Sequence, residues 1–334
     1  MDNKSYLVQL GPTRIGVVIV AYASGSNLLD CLSGVLADGN VTSVVVVDNS
    51  SDAQSKLVVE RLASNDARLH YLDPRVNLGF AKGCNAGVAQ LQDCTHLFFV
   101  NPDVQLRRPL LPLIVHLEAS PQVIVAGRLV SPGHPLSINS RPLVSIRREL
   151  VKALVGTRAY FGVSSPKRGG QYSTPHVVGQ VDGALLGMSF STFATLGGFD
   201  PQFELYFEDV DICARAKPLG GCLFVPVAWG EHAGGASSST VSEMAYCVGA
   251  ISRARYFRKH FGRSSFVTFL ILSVALIEFS TRSLTRQSEG AAARVKSIRL
   301  QLREATTPGS VVLLQAQRRG SGGVSKKTTN DGFE

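Results

Sequence analysis

The sequence predicts an α/β fold: a mixed, mostly parallel β-sheet with helices on both faces, followed by a helical C-terminal extension. Short apolar runs rich in β-branched residues alternate with segments of helical periodicity, which is the pattern of parallel strands joined by crossover helices. Hydrophobic residues make up 45% of the 334-residue chain and charged residues 18%, a balance that excludes a disordered protein. The length allows one large domain with an appendage, or two domains.

Four buried strands and three helices are predicted in the first half of the chain. Each strand is a short apolar run, and each helix repeats its apolar residues at a spacing of three or four. The predicted strands cover residues 15–21, 44–47, 68–72 and 97–100, and the predicted helices cover residues 27–36, a segment around 57–62, and residues 80–91. This order places the strands side by side with the helices packed on the sheet.

The second half is less regular. Residues 131–176 contain five prolines and few long apolar patterns, so we expect a loop-rich region there. A strand-like stretch is predicted at 180–190, a short helix at 207–217, a strand at 222–225 and a longer helix at 241–261.

Polar side chains follow the predicted strands at the points where the strands end. Tyr22 follows the first strand, Asp48 and Asn49 follow the second, and Asn101 and Asp103 follow the fourth. Ligands bind outside the carboxyl ends of the strands in such sheets, so these residues form a candidate site. Neither a GxGxxG turn after the first strand nor a GxxxxGK[ST] loop occurs, which disfavours a dehydrogenase and a P-loop nucleotidase.

The net charge of +9 is concentrated in two blocks. Residues 128–181 carry 8 basic and 1 acidic side chains, and residues 236–334 carry 15 and 6, whereas residues 182–235 carry 2 and 7. Such a balance indicates an acidic partner: nucleic acid, an anionic membrane surface or a phosphate-bearing ligand. We expect no nucleic-acid binding, because the basic residues lack interleaved aromatics and no nucleic-acid motif is present.

An uncharged apolar segment lies in the C-terminal part. Residues 264–277 are shorter than the roughly 20 residues that a membrane-spanning helix needs. They could form a helix buried against the main domain, or a helix in the membrane interface whose flanking cations contact anionic headgroups; we favour the second. The flanking cations are Arg253, Arg255, Arg258, Lys259, Arg263, Arg282 and Arg286.

Two further expectations concern the location of the protein. The first ten residues lack the pattern of a signal peptide, which favours a cytoplasmic protein. The six cysteines form no CxxC pair and no zinc-ligand spacing, so we expect reduced, buried thiols.

Seven motifs, taken in order, resemble those of family-2 glycosyltransferases with a GT-A fold, and bacterial rhamnosyltransferase-like members in particular. The motifs are VVIVAY at 17–22, VDNSS at 47–51, NLGFAKGCN at 77–85, NPD at 101–103, GGFD at 197–200, FEDVD at 207–211 and HAGG at 232–235. The resemblance implies a GT-A (Rossmann-like) glycosyltransferase domain over residues 13–240, after a lead of residues 1–12. A helical, basic, membrane-proximal extension at 241–308 and a disordered tail at 309–334 would complete the chain.

The resemblance implies a nucleotide-sugar donor, a dTDP- or UDP-sugar, at the ends of the first strands. Tyr22 would stack on the donor base, and Asp48 would hydrogen-bond the edge of the base. Asn77, Gly79 and Lys82 belong to the segment that packs around the donor nucleoside. The alternatives are that Tyr22 is a core aromatic, that Asp48 is a helix N-cap or turn residue, and that the segment is purely structural.

The resemblance also implies a divalent cation, Mg²⁺ or Mn²⁺, bound to the donor diphosphate. Asp103 matches the metal-binding carboxylate of the family's DxD motif, whereas Asn101 replaces the first carboxylate and lies at the donor. His232 would be a second metal or diphosphate ligand. The alternatives are a simple turn at Asn101-Pro102 and a structural role for His232.

For catalysis, the resemblance identifies Asp209 as the general base, with Glu208 beside it in the family's ED motif. Asp209 would accept the proton of the acceptor hydroxyl during a single displacement that inverts the anomeric carbon. Asp182, Gly183 and Asp211 would contact the acceptor. The competing interpretation is a solvated acidic helix start at Glu208, Asp209 and Asp211.

The expected function is therefore an inverting transfer of L-rhamnose from dTDP-L-rhamnose to a lipid-linked or cell-surface polysaccharide acceptor. A UDP-sugar donor and a non-catalytic nucleotide-sugar- or polysaccharide-binding protein of the same fold are the alternatives. The two basic blocks would attract a diphosphate-linked acceptor and hold the protein peripherally on the cytoplasmic face of the inner membrane. The oligomeric state is left open.

Overall fold

The computed structural model describes residues 12–131, 139–155, 174–232 and 243–262, together with positions 273, 296, 298–301, 303 and 304. Its strands are β1 (Ile15–Ala21), β2 (Val41–Asp48), β3 (Leu69–Leu72), β4 (His96–Val100), β5 (Val104–Leu106), β6 (Ile124–Val130), β7 (Ser140–Arg141), β8 (His176–Val178), β9 (Gln180–Val181), β10 (Leu185–Ser189) and β11 (Cys222–His232). Its helices are α1 (Gly25–Leu36), α2 (Ala53–Ala63), α3 (Phe80–Val88), α4 (Leu111–Glu118), α5 (Ile146–Val155), α6 (Phe190–Thr195), α7 (Glu208–Ala216) and α8 (Glu243–Phe261), with a 3₁₀ turn at Lys217–Leu219.

The strands form the predicted mixed, mostly parallel sheet. Its order is β3-β2-β1-β4-β10-β6-β11-β5, and β8 also pairs with β11. Strands β3, β2, β1, β4, β6 and β11 run in one direction, while β10, β5 and β8 are antiparallel to their neighbours. Strands β7 and β9 form a separate two-stranded ribbon beside this sheet. The fold class predicted from the sequence is confirmed.

Both faces of the sheet are buried, which explains why β1 reads as a continuous apolar run. Val17 and Ile19 belong to a hydrophobic cluster that includes residues of α1, α2 and α4. Val18 and Val20 point to the other face, into a cluster with α3, α6 and α7. The second cluster includes an edge-on contact between Phe99 and Phe199, whose ring centroids are 4.8 Å apart.

Helix α8 packs on the same domain as α7. Phe203 and Val210 form a buried cluster with Ala254, Tyr256 and Phe257 of α8. The helical start of the predicted extension is thus part of the folded body.

The cations of α8 correct one prediction. Arg253 is 9% exposed and pairs with Glu149, and Arg255 is 8% exposed and pairs with Glu304. Lys259 contacts Asp211 at 2.7 Å. A buried cation needs a carboxylate partner, and here the protein supplies it, so the predicted contacts of Arg253 and Arg255 with lipid headgroups are wrong.

The apolar residues 264–277 lie outside the described part of the chain except for one helical position, Ser273. Residues 1–11 of the predicted lead at 1–12, residues 233–242 after His232 and the predicted tail at 309–334 also lie outside it. Within the described residues, no helix is long and apolar enough to cross a membrane.

Several elements differ from the sequence-based expectation. Helix α5 lies inside the region predicted to be loop-rich, and strand β6 and helix α4 were not predicted. Strand β11 extends seven residues beyond its predicted end and carries His232 at its last position. The six cysteines are thiols, and five of them are buried, as predicted.

Candidate active site

The carboxyl ends of β1 and β2 lie side by side, because Ala21 pairs with Asp48 in the parallel register. Tyr22 follows directly and its side chain is 55% exposed. The alternative of a core aromatic is therefore wrong. An aromatic ring that is open to solvent at this edge can stack on a flat ligand.

Asp48 organises the turn after β2. The carboxylate is fully buried; Oδ1 accepts hydrogen bonds from the backbone N–H and hydroxyl of Ser50, at 2.9 and 2.6 Å. Oδ2 accepts from the Asp52 N–H at 2.9 Å and from the Tyr71 hydroxyl at 2.8 Å. These four donors use the lone pairs of both oxygens, so the predicted hydrogen bond to a base edge does not fit this geometry. The turn-residue alternative fits it.

The segment after β3 is hydrogen-bonded to the turn after β2. Asn49 donates to the Gly79 carbonyl at 3.0 Å and accepts from the Leu78 N–H at 3.2 Å. Gly79 has φ +77°, and a Cβ there would collide with the Glu204 carbonyl. Only glycine combines this conformation with so close an approach.

The predicted donor residues of this segment divide into two groups. Asn77 accepts a hydrogen bond from the Gly79 N–H at 2.9 Å, so both shape the loop. Lys82 is exposed on α3 and is available to a ligand. Asn49 is a residue whose role the sequence alone did not reveal; its place directly after the strand was the available signal.

Asp103 and His232 meet although they are far apart in the sequence. Asp103 Oδ1 lies 3.2 Å from His232 Nε2, and both side chains remain partly exposed. The Asn101 backbone forms the turn before Asp103: its carbonyl accepts from the Val104 N–H at 3.1 Å. The turn and the predicted ligand pair thus coexist.

The donor set at this position suits a hard divalent cation. Mg²⁺ and Mn²⁺ take carboxylate oxygens, and Mn²⁺ also takes imidazole. Among the described residues, no group of three or more potential His, Cys, Asp or Glu ligands occurs. Asp103 and His232 would therefore supply two ligands, and phosphate oxygens and water would complete the coordination.

Asp209 lies in the first turn of α7, after two residues in the left-handed region, Tyr206 at φ 64° and Phe207 at φ 68°. Its Oδ2 accepts a hydrogen bond from the Gly183 N–H at 3.1 Å, and its Oδ1 accepts from the Val210 N–H at 2.8 Å. Burial, together with the negative charge of Asp182, raises the pKa of Asp209 to about 6. A carboxylate with a pKa near neutrality is suited to general-base catalysis.

Glu208 differs from its neighbour. Its side chain is only 6% exposed, and Oε2 has no hydrogen-bond partner among the described residues. Burial, and then the charge of Asp209, raises the pKa of Glu208 well above its usual value. Burial and the raised pKa favour the protonated form of Glu208 over the carboxylate, so we expect Asp209 to be the base and Glu208 a supporting residue.

Asp211 does not reach the acceptor side. It is fully buried, and Oδ1 contacts Lys259 Nζ at 2.7 Å and His260 Nε2 at 2.8 Å, while Oδ2 contacts Arg215 Nε at 2.8 Å. Its predicted acceptor contact is wrong, because its carboxylate is buried and both oxygens are engaged by other side chains of the protein. The solvated acidic helix start is wrong as well, because Glu208 and Asp211 are buried.

Asp182 and Gly183 flank the base. The Asp182 Oδ2 atom lies 2.9 Å from Arg141 Nη2, and its side chain is one-quarter exposed. Gly183 contributes its N–H to Asp209. Arg141 is the second functional candidate that sequence reasoning missed, since it approaches Asp209 only through the pairing of β7 with β9.

A pH profile tests this electrostatic arrangement. If Asp209 must be ionised, kcat/KM should fall as the pH falls through about 6. In Asp182→Asn the neighbouring charge is removed, so the pKa of Asp209 should fall and the acid limb should move to lower pH. The exposed Asp30 provides a control, because Asp30→Asn should leave the limb in place. An unchanged limb in Asp182→Asn would contradict the assignment.

Comparison with known proteins agrees with this geometry. The family model described as "Glycosyl transferase family 2" matches residues 16–174. The low-salt glycan biosynthesis hexosyltransferase of Haloferax volcanii is 24% identical over 226 residues, which are 65% of this chain and 66% of that protein. The N-acetylglucosaminyl-diphospho-decaprenol L-rhamnosyltransferase of Mycobacterium tuberculosis is 26% identical over 235 residues, which are 64% of this chain and 73% of that protein.

A solved structure shows the same fold. The mannosyltransferase of Pyrobaculum calidifontis, in complex with GDP-Man and Mn²⁺, superposes with a TM-score of 0.53. The match covers 91% of this chain and 88% of that chain at 15% sequence identity. The sheet order, the shared fold and the family match lead to one conclusion: the chain carries a glycosyl transferase family 2 domain, matched over residues 16–174, on a GT-A fold.

Proposed function

We propose that this protein is an inverting, metal-dependent glycosyltransferase that transfers L-rhamnose from dTDP-L-rhamnose to a lipid-linked or cell-surface polysaccharide acceptor. One observation carries the proposal. The Asn101 N–H, in the turn before Asp103, donates to the Ala184 carbonyl at 3.0 Å, while the adjacent Gly183 N–H holds Asp209. The candidate metal ligand and the candidate base are thus fixed to neighbouring residues of one short segment.

The reaction follows from this arrangement. Asp209 takes the proton of the acceptor hydroxyl as its oxygen attacks the anomeric carbon of the donor sugar. The bond between that carbon and the diphosphate breaks, and the nucleoside diphosphate leaves with the bonding electron pair. Asp103 and His232 would hold a divalent cation, which neutralises the charge that develops on the leaving diphosphate. Attack opposite the leaving group inverts the anomeric configuration.

Exposure separates the roles of the donor-side residues. Tyr22 and Lys82 are open to solvent, so we assign direct contacts with the donor base and diphosphate to them. Asp48, Asn77 and Gly79 are engaged in hydrogen bonds within their loops, so we assign them the shaping of the donor pocket. Rhamnose is proposed from the similarity to the rhamnosyltransferase of M. tuberculosis.

A donor panel tests the sugar. Purified protein, Mn²⁺ and membrane lipid extract are incubated with dTDP-L-rhamnose, UDP-glucose, UDP-N-acetylglucosamine or GDP-mannose. The masses of the products are then measured by mass spectrometry. Addition of a deoxyhexose from dTDP-L-rhamnose alone supports the proposal. Transfer from a UDP-sugar instead would overturn the donor assignment, and donor binding without transfer would support a non-catalytic binding protein.

The candidate metal ligands give a second prediction. His232→Ala should raise the Mn²⁺ concentration for half-maximal activity by about ten- to a hundredfold, because one of two protein ligands is lost. Asn101→Asp should lower it, because a second carboxylate is added at the turn. His70→Ala alters an exposed histidine on β3 and is the matched control. An unchanged Mn²⁺ requirement in His232→Ala would contradict the ligand assignment.

A further inference from the structure

Arg141 is a cation on the acceptor side of Asp209. Its strand, β7, pairs with β9, and Arg141 lies opposite Gln180 in the register. Its Nη2 contacts Asp182 Oδ2 at 2.9 Å, yet 49% of its side chain is exposed. The positive charge is close enough to Asp209 to counter part of the rise in that residue's pKa. Arg141 therefore lies close to the candidate base and is partly open to solvent.

A second cation, Arg148, contacts the backbone of the same chain segment. Nη1 of Arg148 donates to the Leu143 carbonyl at 3.1 Å, two residues along the chain from Arg141. Arg148 is exposed, as is Arg147 beside it, and the structure gives neither an ion pair within the described part of the chain. The nearest carboxylate in sequence, Glu149, is buried and engaged by Arg253.

The location of these cations is unfavourable for the helix itself. Arg147 and Arg148 stand in the first turn of α5, where the helix dipole disfavours positive charge. In the proposed reaction the donor diphosphate is held at the Asp103–His232 pair. A second anionic group, supplied by the acceptor, would neutralise the positive charge of these two arginines.

We propose that Arg141 and Arg148 bind the phosphate groups of a diphosphate-linked sugar acceptor. The inference rests on the proposed function and names its acceptor class. In such an acceptor the diphosphate is attached to the anomeric carbon, one sugar ring away from the hydroxyl that Asp209 deprotonates. The planar guanidinium of Arg141 can keep Asp182 on one nitrogen and offer the others to phosphate oxygens.

Binding without turnover tests the proposal. Farnesyl diphosphate is titrated into the full chain by calorimetry with no donor present, and farnesol serves as the uncharged analogue. The wild type should bind farnesyl diphosphate and not farnesol. Arg141→Ala and Arg148→Ala should each weaken binding by about tenfold or more, because each removes a charge-assisted hydrogen bond. Arg61→Ala removes an exposed cation on α2 and should change nothing.

Two results would overturn the proposal. One is farnesyl diphosphate binding that is as tight in Arg141→Ala and Arg148→Ala as in the wild type. The other is a loss of binding to phosphatidylglycerol vesicles in these variants while farnesyl diphosphate binding is unchanged, which would assign the cations to lipid headgroups. Sugar transfer could fail with every donor while farnesyl diphosphate binds as predicted. That result would overturn the proposed function but would support the phosphate-binding site. Thermal unfolding of Arg148→Ala, an exposed position, verifies that the variants are folded.

Discussion

Replacing Asp209 with Asn should lower kcat for sugar transfer by about 10²–10⁴-fold, the range that a positioned general base contributes. The amide cannot take the acceptor proton. Its oxygen can still accept the Gly183 N–H, so the start of α7 should keep its place. The rate is measured with saturating donor and acceptor, and the affinity for the donor is measured separately.

The two carboxylates of the ED motif should then behave differently. Glu208→Gln should retain much more activity than Asp209→Asn, because the Glu208 side chain is buried and its raised pKa favours the protonated form, which Gln resembles. Asp30→Asn, on the exposed side of α1, should have wild-type activity. Wild-type kcat in Asp209→Asn, or a greater loss in Glu208→Gln, would contradict the assignment of the base.

Replacing Asp211 with Ala should lower the free energy of unfolding by about 3–5 kcal/mol, the cost of removing one partner from a buried ion-pair network. The side chain is fully buried and holds Arg215 of α7 together with Lys259 and His260 of α8. Without it, three nitrogen groups lose their shared partner. Urea unfolding followed by circular dichroism measures the change.

An exposed ion pair provides the control for this measurement. Lys56 and Glu60 are 3.6 Å apart on α2, and more than half of each side chain is exposed. Glu60→Gln should cost about 0.5 kcal/mol or less, because solvent screens such pairs. A loss in Asp211→Ala as small as that in Glu60→Gln would show that Asp211 does not hold α8 on the domain.

Much of the first half of the fold could be predicted, because its apolar patterns depend only on residues that are close in the sequence. Strand β1 was predicted at its observed bounds, since burial on both faces requires an uninterrupted apolar run. Helix α5 was missed because its segment is flanked by prolines and begins with two arginines, while its buried Glu149 is paired by distant Arg253. Long-range pairing of this kind leaves no local pattern.

Some residues of the candidate site could likewise be predicted from the sequence, and others could not. The motifs located Asp103, His232 and Asp209, and the fold brings the first two within 3.2 Å. The motif misassigned Asp211, because residues two apart on a helix point in different directions. Asp209 faces Gly183, whereas Asp211 faces α8. Arg141 could be found only from the pairing of β7 with β9.

The alternating charge blocks also have a structural explanation. The acidic block at 182–235 contains Asp200, Glu204 and Asp211, which pair with Lys259 and Arg255 of α8. Some of the basic side chains after residue 236 therefore form ion pairs within the protein, between α8 and the acidic block. This pairing was open to prediction in principle, since neighbouring blocks of opposite sign attract one another.

The central claim is a single displacement at a site built from Asp209 and the Asp103–His232 pair. The anomeric configuration of the product tests it most directly. The intact glycosylated product is isolated after reaction of the wild-type protein, and the one-bond C1–H1 coupling constant of the transferred sugar is measured by NMR. A configuration opposite to that in the donor is the predicted result. Retention of the donor's configuration would contradict the account, because one attack assisted by one base can only invert.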